Sequence, residues 1–570
     1  MAARERTVHI GGGRLRAIGA VRSLAVHPDP DPSAPARPDR EWWRHAVVYQ
    51  IYVRSFADGN GDGTGDIAGM RDRLPYLERL GVDALWINPW YRSPLRDGGY
   101  DVADYREINE QFGTTADAEE FIAEARRHGI RVLVDLVPNH SSSEHRWFQE
   151  ALNAPRRSAA RRRYHFLDGL GESGELPPND WRSVFGGPAW TRVADGQWYL
   201  HLFDESQPDL NWENPDVPAE FEAVMRFWLD RGAAGFRIDV AHSLVKAEGY
   251  PDAGREFNDG RGTLDPLPYF DRDEIHSIVR RWRRVLDEYD DRMMVAEAWV
   301  AAERRPLYLR PDEYHQAFDF DLLTAPWDAN EFERIIEASV RSADTVGSNP
   351  TWVLSNHDVV RHATRYGLAQ DVEPGLWLLD GPRDLLDEAR GTRRARAAAL
   401  VTLALPGSAY IYQGDELGLP EAWELPLDVL QDPIWHDSGH LVKGRDGCRV
   451  PIPWEATGPS LGFGDGPGWL PQPAGFASLA ASVQDGDPAS TLAMYRTALD
   501  LRRTHLVHEP DFGLLDTDEG ALAFRRGAEF VCVANMGDES LPMPIGEVLL
   551  ASGPLDEGRL PVDTAVWIRG

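Results

Sequence analysis

The chain has 570 residues, of which 42% are hydrophobic, and this length accommodates one large barrel-type domain with smaller appended units. Acidic residues outnumber basic ones by 92 to 60, and the resulting formal net charge of −32 argues against nucleic acid or an anionic membrane as a partner. A neutral small-molecule ligand suits such a chain better.

Only two cysteines occur, Cys448 and Cys532, which excludes a disulfide framework. No apolar run approaches the length of a membrane span, and the stretch 17–21 is too short for the core of a signal peptide. We therefore expect a cytoplasmic protein. Residues 23–40 are rich in proline, so the leader 1–40 is predicted to be mobile.

From Trp42 onward, eight short apolar runs alternate with amphipathic stretches. This alternation is typical of the (β/α)8 TIM barrel, an α/β fold with a closed parallel sheet. The predicted strands are 47–52, 84–87, 132–135, 236–239, 293–296, 317–320, 352–354 and 409–412. We predict that the catalytic barrel comprises residues 41–139 and 203–505.

Two connections are too long for ordinary loops of such a barrel. Residues 140–202 are predicted to form an inserted domain B after the third strand, and residues 415–475 a loop subdomain after the eighth. Both are rich in glycine, proline and tryptophan, as ordered irregular segments often are. The pattern then changes to a hairpin over 522–533, so 506–570 is predicted to be a C-terminal antiparallel β domain.

Carboxylates follow several predicted strands at their C-terminal ends, where TIM barrels carry their chemistry. Asp239 ends the fourth run, Glu297 follows the fifth and Asp358 follows the seventh. Arg237 lies on the same strand face as Asp239, where it can keep that carboxylate ionised. Trp299 would partly desolvate Glu297, which suits a proton donor. Such a set can cleave a glycosidic bond with retention of configuration.

These segments strongly resemble the motif regions of the α-amylase family, glycoside hydrolase family 13, and the likeness covers nearly the whole chain from about Trp42. The resemblance implies that Asp239 is the nucleophile, Glu297 the acid/base and Asp358 the stabiliser of the transition state. It also implies that Arg237, His140 and His357 contact the substrate.

The segment 98–105 looks like the exo-acting α-glucosidase and oligo-1,6-glucosidase branch of that family. In that branch Tyr100 would stack under the terminal sugar and Asp101 would bind its hydroxyls. Arg449 resembles the arginine that pairs with this aspartate to close the floor of a pocket, although threonine and methionine are commoner in its motif. Phe185 and Phe203 are candidate wall aromatics, with core packing as an equally good explanation.

Residues 58–66 alternate oxygen-bearing side chains with glycines, which lets a tight loop aim several carboxylates at one hard cation. An EF-hand is excluded, because its twelfth position would be Gly69. Related glucosidases hold calcium or magnesium in the first such loop, so the resemblance implies a structural divalent cation, preferably calcium, and no organic cofactor. The implied ligands are Asp58, Asn60, Asp62, the backbone carbonyl of Thr64, and Asp66. A metal-free acidic turn is the alternative.

We expect a retaining exo-α-glucosidase that releases glucose from short α-glucosides and sometimes transfers it to sugars or alcohols. The segment 207–211 resembles the oligo-1,6-glucosidase subfamily, and Val240 goes with α-1,6 activity in one branch of relatives. The longer matches at 239–246, 418–420 and 430–433 look most like actinobacterial α-glucosidases that prefer maltose-type α-1,4 links. The alternatives, in falling order, are an oligo-1,6-glucosidase, a sucrose isomerase or trehalose synthase, and a non-catalytic carbohydrate-binding subunit.

Overall fold

Eight parallel strands form the central sheet. The computed structural model describes residues 22–24, 41–254, 267–507, 509 and 511–570. In chain order the barrel strands β1–β8 are Val47–Ile51, Ala84–Ile87, Arg131–Leu136, Gly235–Ile238, Met293–Ala296, Gln316–Ala317, Thr351–Val353 and Ser408–Tyr412. They lie side by side in the order β6-β5-β4-β3-β2-β1-β8-β7, and a parallel bridge between Asp319 and Trp352 joins the two edges. The predicted TIM barrel is confirmed.

The barrel strands read as continuous apolar runs because they are buried on both faces. Every residue of β1, β2, β4, β5 and β8 is buried. The sixth strand is shorter than the predicted run 317–320. Asp319 instead caps a helix that begins at Phe320, with its side chain accepting a hydrogen bond from the Leu322 N–H, so the chain leaves the sheet after Ala317.

Helices follow most of the barrel strands. The helix Thr115–Arg127 illustrates how the sequence starts them, since Thr114 and Asp117 form a reciprocal capping box at its first turn. The helices are Ile67–Asp72, Leu74–Leu80, Thr115–Arg127, Arg146–Asn153, Asp216–Asp230, Ile275–Leu286, Arg305–Tyr308, Phe320–Thr324, Ala329–Asp344, His362–Arg365, Pro374–Asp380, Glu388–Ala404, Pro433–Asp437, Phe476–Leu479, Ala481–Gln484 and Thr491–His505. Within the part of the chain that the structure describes, no helix could cross a membrane.

The segment between β3 and β4 carries a small antiparallel sheet of its own. Its strands are Phe166–Asp168, Gln197–Leu200 and Trp190–Arg192, with Gln197–Leu200 in the centre. A second short pair, Tyr91–Arg92 with Asp104–Ile108, follows β2. These segments and the long connection after β8 all lie at the C-terminal end of the barrel strands from which they emerge.

A six-stranded antiparallel sheet forms the C-terminal unit, as predicted. Its strands, in spatial order, are Arg22–Leu24, Phe512–Leu514, Ala521–Arg526, Phe530–Asn535, Thr564–Arg569 and Glu547–Ala551. A separate short antiparallel pair, Leu541–Pro542 with Arg559–Leu560, occurs within the same part of the chain. Arg22–Leu24 was expected to belong to a mobile leader, and this part of the prediction is wrong because its backbone pairs with Phe512–Leu514. The rest of the leader lies outside the described residues.

Candidate active site

One buried arginine connects three carboxylates at the C-terminal end of the barrel. Arg237 lies on β4 opposite Asp135 of β3, and its Nη1 lies 2.9 Å from Asp135 Oδ1. The same nitrogen donates to Asp239 Oδ1, while Nη2 lies 2.9 Å from Glu297 Oε2. Arg237 is only 1% exposed, so its guanidinium counters carboxylate charge that is largely shielded from water.

Opposing effects set the electrostatics of Asp239. Burial raises the pKa of Asp239, the neighbouring Arg237 guanidinium opposes that rise by favouring the ionised form, and the carboxylates Glu297 and Asp135 add to it, so the pKa lies well above its ordinary value. Asp239 follows β4 directly, and its N–H still donates to the Leu136 carbonyl on β3 at 2.9 Å. The strand therefore fixes where this carboxylate stands relative to Arg237.

Glu297 follows β5 and is held at both carboxyl oxygens. Its Oε1 accepts the indole N–H of Trp299 at 3.0 Å, and its Oε2 accepts the backbone N–H of Val240 at 2.8 Å. The Trp299 ring in turn stacks on Phe320, with centroids 4.0 Å apart. Asp239 and Glu297 are thus paired with the two different terminal nitrogens of the Arg237 guanidinium.

Asp358 is the most accessible of the three predicted catalytic carboxylates, with 27% of its side chain exposed. Its Oδ1 accepts from Arg445 Nη1 at 3.0 Å and from Arg449 Nη2 at 3.1 Å. Burial acts to raise the pKa of Asp358, but His357 and the two guanidiniums outweigh it and hold the pKa below its ordinary value. Asp358 is therefore ionised near neutral pH.

His357 and Tyr100 form a stacked pair beside Asp358. Their rings are nearly parallel, at 4°, with centroids 5.1 Å apart. Burial lowers the pKa of His357 well below its ordinary value, so the ring is neutral. Its Nδ1 lies 2.7 Å from the Gln50 amide nitrogen, which assigns the proton to Nε2, 3.2 Å from Asp358 Oδ2. Tyr100 donates its hydroxyl to Asp135 Oδ2 at 2.9 Å.

The expected pair of Asp101 and Arg449 does not form. Asp101 is fully buried and accepts the Ser93 hydroxyl and the N–H groups of Arg96 and Asp97, so it braces its own loop. Arg449 donates to the His357 carbonyl and to Asp358.

A different aspartate and arginine form the link. Arg445 Nη2 lies 2.6 Å from Asp97 Oδ1. Asp97 precedes the predicted Asp101 by four residues, and Arg445 precedes the predicted Arg449 by four residues. Arg445 also makes a two-pronged pair with the buried Asp432, through Nε at 2.7 Å and Nη2 at 2.9 Å. The predicted pair was therefore wrong. Each segment carries two residues of the same type four positions apart, and the prediction named the second of each.

The predicted wall aromatics lie around this link. The Arg445 guanidinium sits 4.9 Å from the Phe185 ring centroid, Phe185 meets Phe203 edge-on at 5.5 Å, and Phe203 contacts the His140 ring at 5.2 Å. Burial lowers the pKa of His140, so it is neutral. The structure therefore brings these three side chains to the same wall, next to the Asp97 link.

Sequence reasoning missed Asp97, Arg445, Asp432 and Gln207. The Gln207 amide donates to Asp97 Oδ2 at 3.0 Å and lies 3.2 Å from His140 Nε2. A signal for all four was present. Asp97 directly precedes the motif 98–105, Arg445 lies four residues before Arg449, Gln207 begins the motif 207–211, and Asp432 lies within the match 430–433.

The predicted metal loop is folded around backbone amides. Asp58 accepts the N–H groups of Gly61 at 2.7 Å and Gly63 at 2.9 Å. Asp66 accepts the N–H groups of Gly59, Asn60 and Gly69. These bonds explain the alternation of acids and glycines without an ion, although each carboxylate oxygen keeps further lone pairs.

The remaining predicted ligands lie at the exposed tip of this loop. The Asn60 amide donates to Asp62 Oδ2 at 3.2 Å, and Asp62 Oδ1 accepts the Thr64 N–H at 2.8 Å. Over the described ranges, no group of three or more His, Cys, Asp or Glu side chains is arranged to hold a metal ion. The oxygen-only donor set suits a hard cation in its chemistry, and the predicted site remains a prediction.

Two protein-family models match the chain, one over the barrel and one over the C-terminal β unit. The model described as "Alpha amylase, catalytic domain" matches residues 50–509, and a "Domain of unknown function (DUF3459)" matches residues 514–567. A "Probable alpha-glucosidase" of Rhizobium meliloti (strain 1021) is 38% identical, over 91% of this chain and 94% of the relative. An "Oligo-1,6-glucosidase" of Parageobacillus thermoglucosidasius is 33% identical, over 82% of this chain and 84% of the relative.

Solved structures agree with this assignment. The crystal structure of the alpha-glucosyl transfer enzyme XgtA is similar at 34% identity and a TM-score of 0.80, covering 93% of this chain and 99% of that one. The trehalulose synthase MutB from Pseudomonas mesoacidophila MX-45 is similar at 30% identity and a TM-score of 0.81, covering 94% and 100%. The chain therefore belongs to glycoside hydrolase family 13, the α-amylase family, in its subfamily of α-glucosidases and oligo-1,6-glucosidases.

Proposed function

We propose that the protein is a retaining exo-α-glucosidase that releases glucose from the non-reducing end of short, maltose-type α-glucosides. The observation that carries this proposal is the placement of Asp239 and Glu297 on the two terminal nitrogens of Arg237. Two carboxylates held on one guanidinium stand close together, as retention requires, whereas inversion needs room for a water between them.

In the first step, Asp239 attacks the anomeric carbon while the bond to the leaving oxygen breaks. Glu297 gives its proton to that oxygen, so the leaving sugar departs neutral and glucose stays bound to Asp239 as an ester. In the second step, Glu297 takes a proton from water, the water oxygen bonds to the anomeric carbon, and the ester bond to Asp239 breaks. Asp358, held ionised by Arg445 and Arg449, accepts hydrogen bonds from sugar hydroxyls during both steps.

The exo mode is supported by the link of Arg445 to Asp97 and Asp432. This link joins the loop after β2 to the loop after β8, with the Tyr100 and His357 stack next to it. Ionised carboxylates and guanidiniums at a closed end would bind the hydroxyls of a terminal glucose. Because the ester can be attacked by any well-placed hydroxyl, transfer to a sugar or alcohol accompanies hydrolysis.

The bond preference is the finer part of the proposal. The relative from Rhizobium meliloti carries an α-glucosidase name, and several relatives at 33–34% identity carry the name oligo-1,6-glucosidase. Val240 favours the second, α-1,6, candidate, because a valine at this position goes with α-1,6 activity in one branch of relatives. The similarity to MutB, a trehalulose synthase, keeps sucrose isomerisation as a further alternative.

The test is glucose release from maltose and isomaltose measured side by side, with Asp239→Asn as the blank. Faster release from maltose that the substitution abolishes is the expected result. Faster release from isomaltose would favour the oligo-1,6-glucosidase candidate. Conversion of sucrose to isomers without glucose release would favour the isomerase, and binding without turnover would favour a carbohydrate-binding subunit.

We also propose a structural divalent cation, preferably calcium, at the loop 58–66, supported by its oxygen-only donors. The loop contacts the connection after β8, since the Asp58 N–H donates to the Phe463 carbonyl at 2.8 Å and the Trp469 N–H donates to the Gly63 carbonyl at 2.9 Å. A cation would therefore stiffen a wall of the pocket. A cytoplasmic location is supported by the two free, buried cysteines and is testable by cell fractionation.

A further inference from the structure

Val240, the residue after Asp239, has a backbone conformation that its side chain disfavours. Its φ is 41°, in the left-handed region, which a β-branched residue rarely adopts because its Cβ comes too close to the backbone. Val240 is also buried, with 7% exposed. A strained backbone beside the reacting groups persists only where the surrounding structure enforces it, which suggests a role in the site.

The left-handed turn directs two successive N–H groups at one residue. In a regular strand, successive N–H groups point to opposite sides. Here the Val240 N–H donates to Glu297 Oε2 at 2.8 Å, and the Ala241 N–H donates to the Glu297 carbonyl at 2.8 Å. The two N–H groups thus bond to two different oxygens of the same residue, one on its side chain and one on its backbone. Both the side chain and the backbone of Glu297 are therefore docked on the turn.

These contacts distinguish the two carboxyl oxygens of Glu297. Oε2 accepts the Val240 N–H and lies 2.9 Å from the charged Nη2 of Arg237, whereas Oε1 accepts the Trp299 indole N–H at 3.0 Å. An oxygen that already accepts two donors, one of them charged, is a poor place for a proton. The proton of the neutral acid therefore belongs on Oε1, and Oε2 serves as the anchor.

Side-chain packing holds the strained turn in place. Val240 belongs to a buried apolar cluster with Trp181 and Leu202 of the inserted segment and with Tyr269 and Phe270 of the loop after β4. Rotating φ of Val240 to an ordinary negative value would pull its side chain out of this cluster. The cluster therefore offsets the backbone strain and ties the turn to the pocket wall.

We propose that Val240 is a positioning residue for Glu297. Its packed side chain enforces the left-handed turn, and the turn aims its N–H at Oε2 so that Oε1 faces the leaving oxygen. This proposal rests on the acid/base role of Glu297 given above. It assigns Val240 a role in proton transfer that is separate from any effect on which bond is cleaved.

The test compares Val240→Ala, Val240→Gly and Val240→Thr on substituted phenyl α-glucosides whose phenols differ in acidity. Poor leaving groups need protonation by the acid, and good ones need little. Alanine loses the packing but keeps the strain, so the turn relaxes and the N–H moves away from Glu297. Glycine loses more side chain but adopts this φ freely. Threonine keeps the β-branched shape.

We expect Val240→Ala to lose about 10- to 100-fold in kcat/KM on the least acidic phenols and less than about 3-fold on the most acidic ones. Val240→Gly should lie between alanine and the wild type, and Val240→Thr should keep the wild-type slope. An equal loss across the series, or a glycine variant worse than alanine, would overturn the proposal, because packing alone predicts both. Glucose release by the wild type is scored separately, so failure of the proposed function is recognised independently.

Discussion

Arg445 Nη2 lies 2.6 Å from Asp97 Oδ1, and the adjacent Nη1 lies 3.0 Å from Asp358 Oδ1. One guanidinium therefore connects the loop after β2, the loop after β8 and a carboxylate of the proposed catalytic triad. Its third partner is the fully buried Asp432. Arg445 therefore contributes, with His357 and Arg449, to keeping Asp358 ionised, and it joins the two loops at this end of the barrel.

Replacing Arg445 with methionine should lower kcat/KM on maltose by about 100- to 1000-fold, because it leaves the buried carboxylates Asp97 and Asp432 without their cation. Lysine keeps the charge but cannot reproduce the forked geometry, so Arg445→Lys should lose less. Steady-state kinetics checks both variants. Wild-type kinetics in Arg445→Met would show that this arginine does not shape the sugar site.

The same substitution should raise the pKa of Asp358. Burial acts to raise this pKa, and His357, Arg445 and Arg449 together lower it below its ordinary value. A carboxylate with a lowered pKa is ionised above that pKa and becomes protonated only as the pH falls through it. Removing one cation should therefore move the pKa of Asp358 upward. Asp239, whose pKa is raised, governs the acid limb of kcat/KM, so the shift is measured by direct NMR titration of the Asp358 carboxyl, and an unmoved titration would contradict the prediction.

Asp432→Asn should destabilise the fold in a pH-dependent way. Burial acts to raise the pKa of Asp432, but Arg445 outweighs it and lowers the pKa to about 2. A depressed pKa contributes stability above the unfolded value of about 3.9 that is lost as the pH falls toward 2, and it amounts to about 2–3 kcal/mol at neutral pH.

The free energy of unfolding of Asp432→Asn should therefore lie below that of the wild type at pH 7, and the gap should narrow below pH 4. Asp428→Asn is the matched control, because Asp428 is an exposed acid in the same loop. A gap of equal size at every pH would mean that the carboxylate charge of Asp432 contributes nothing.

Removal of the proposed divalent cation should lower the melting temperature by about 5 °C, because a ligand bound to the native state stabilises it by mass action. Asp62→Asn should lose the response to a chelator, whereas Asp428→Asn should keep it. Elemental analysis of the purified protein gives a second readout. If the chelator leaves the melting temperature unchanged and elemental analysis finds no divalent ion, the proposed cation site is wrong.

The barrel was predictable because buried parallel strands leave long apolar runs, and the polar groups at the ends of these runs locate the site. Asp239, Glu297 and Asp358 come together by this route. The pairing of Asp97 with Arg445 was not predictable, because it depends on the path of the loop after β8. Arg445 and Arg449 lie a single turn apart, both reach Asp358, and no local pattern distinguishes them.

Two other features depended on tertiary structure alone. The strand Arg22–Leu24 forms because the edge of the C-terminal sheet offers it a partner in Phe512–Leu514, although nothing in its own composition favours a strand. The left-handed turn at Val240 is equally invisible in the sequence, since valine is among the residues that least favour it. Val240 lies in the buried cluster that contains Trp181 and Phe270, and we attribute its backbone conformation to packing in that cluster.

The central claim is that Asp239 carries glucose covalently during the reaction. The most direct measurement incubates the enzyme with a fluorinated glucosyl fluoride that slows the second step, and then maps the labelled peptide by mass spectrometry. The account predicts one sugar label, on Asp239, formed as activity is lost. A label on Glu297 or Asp358, or inactivation without any label, would contradict it.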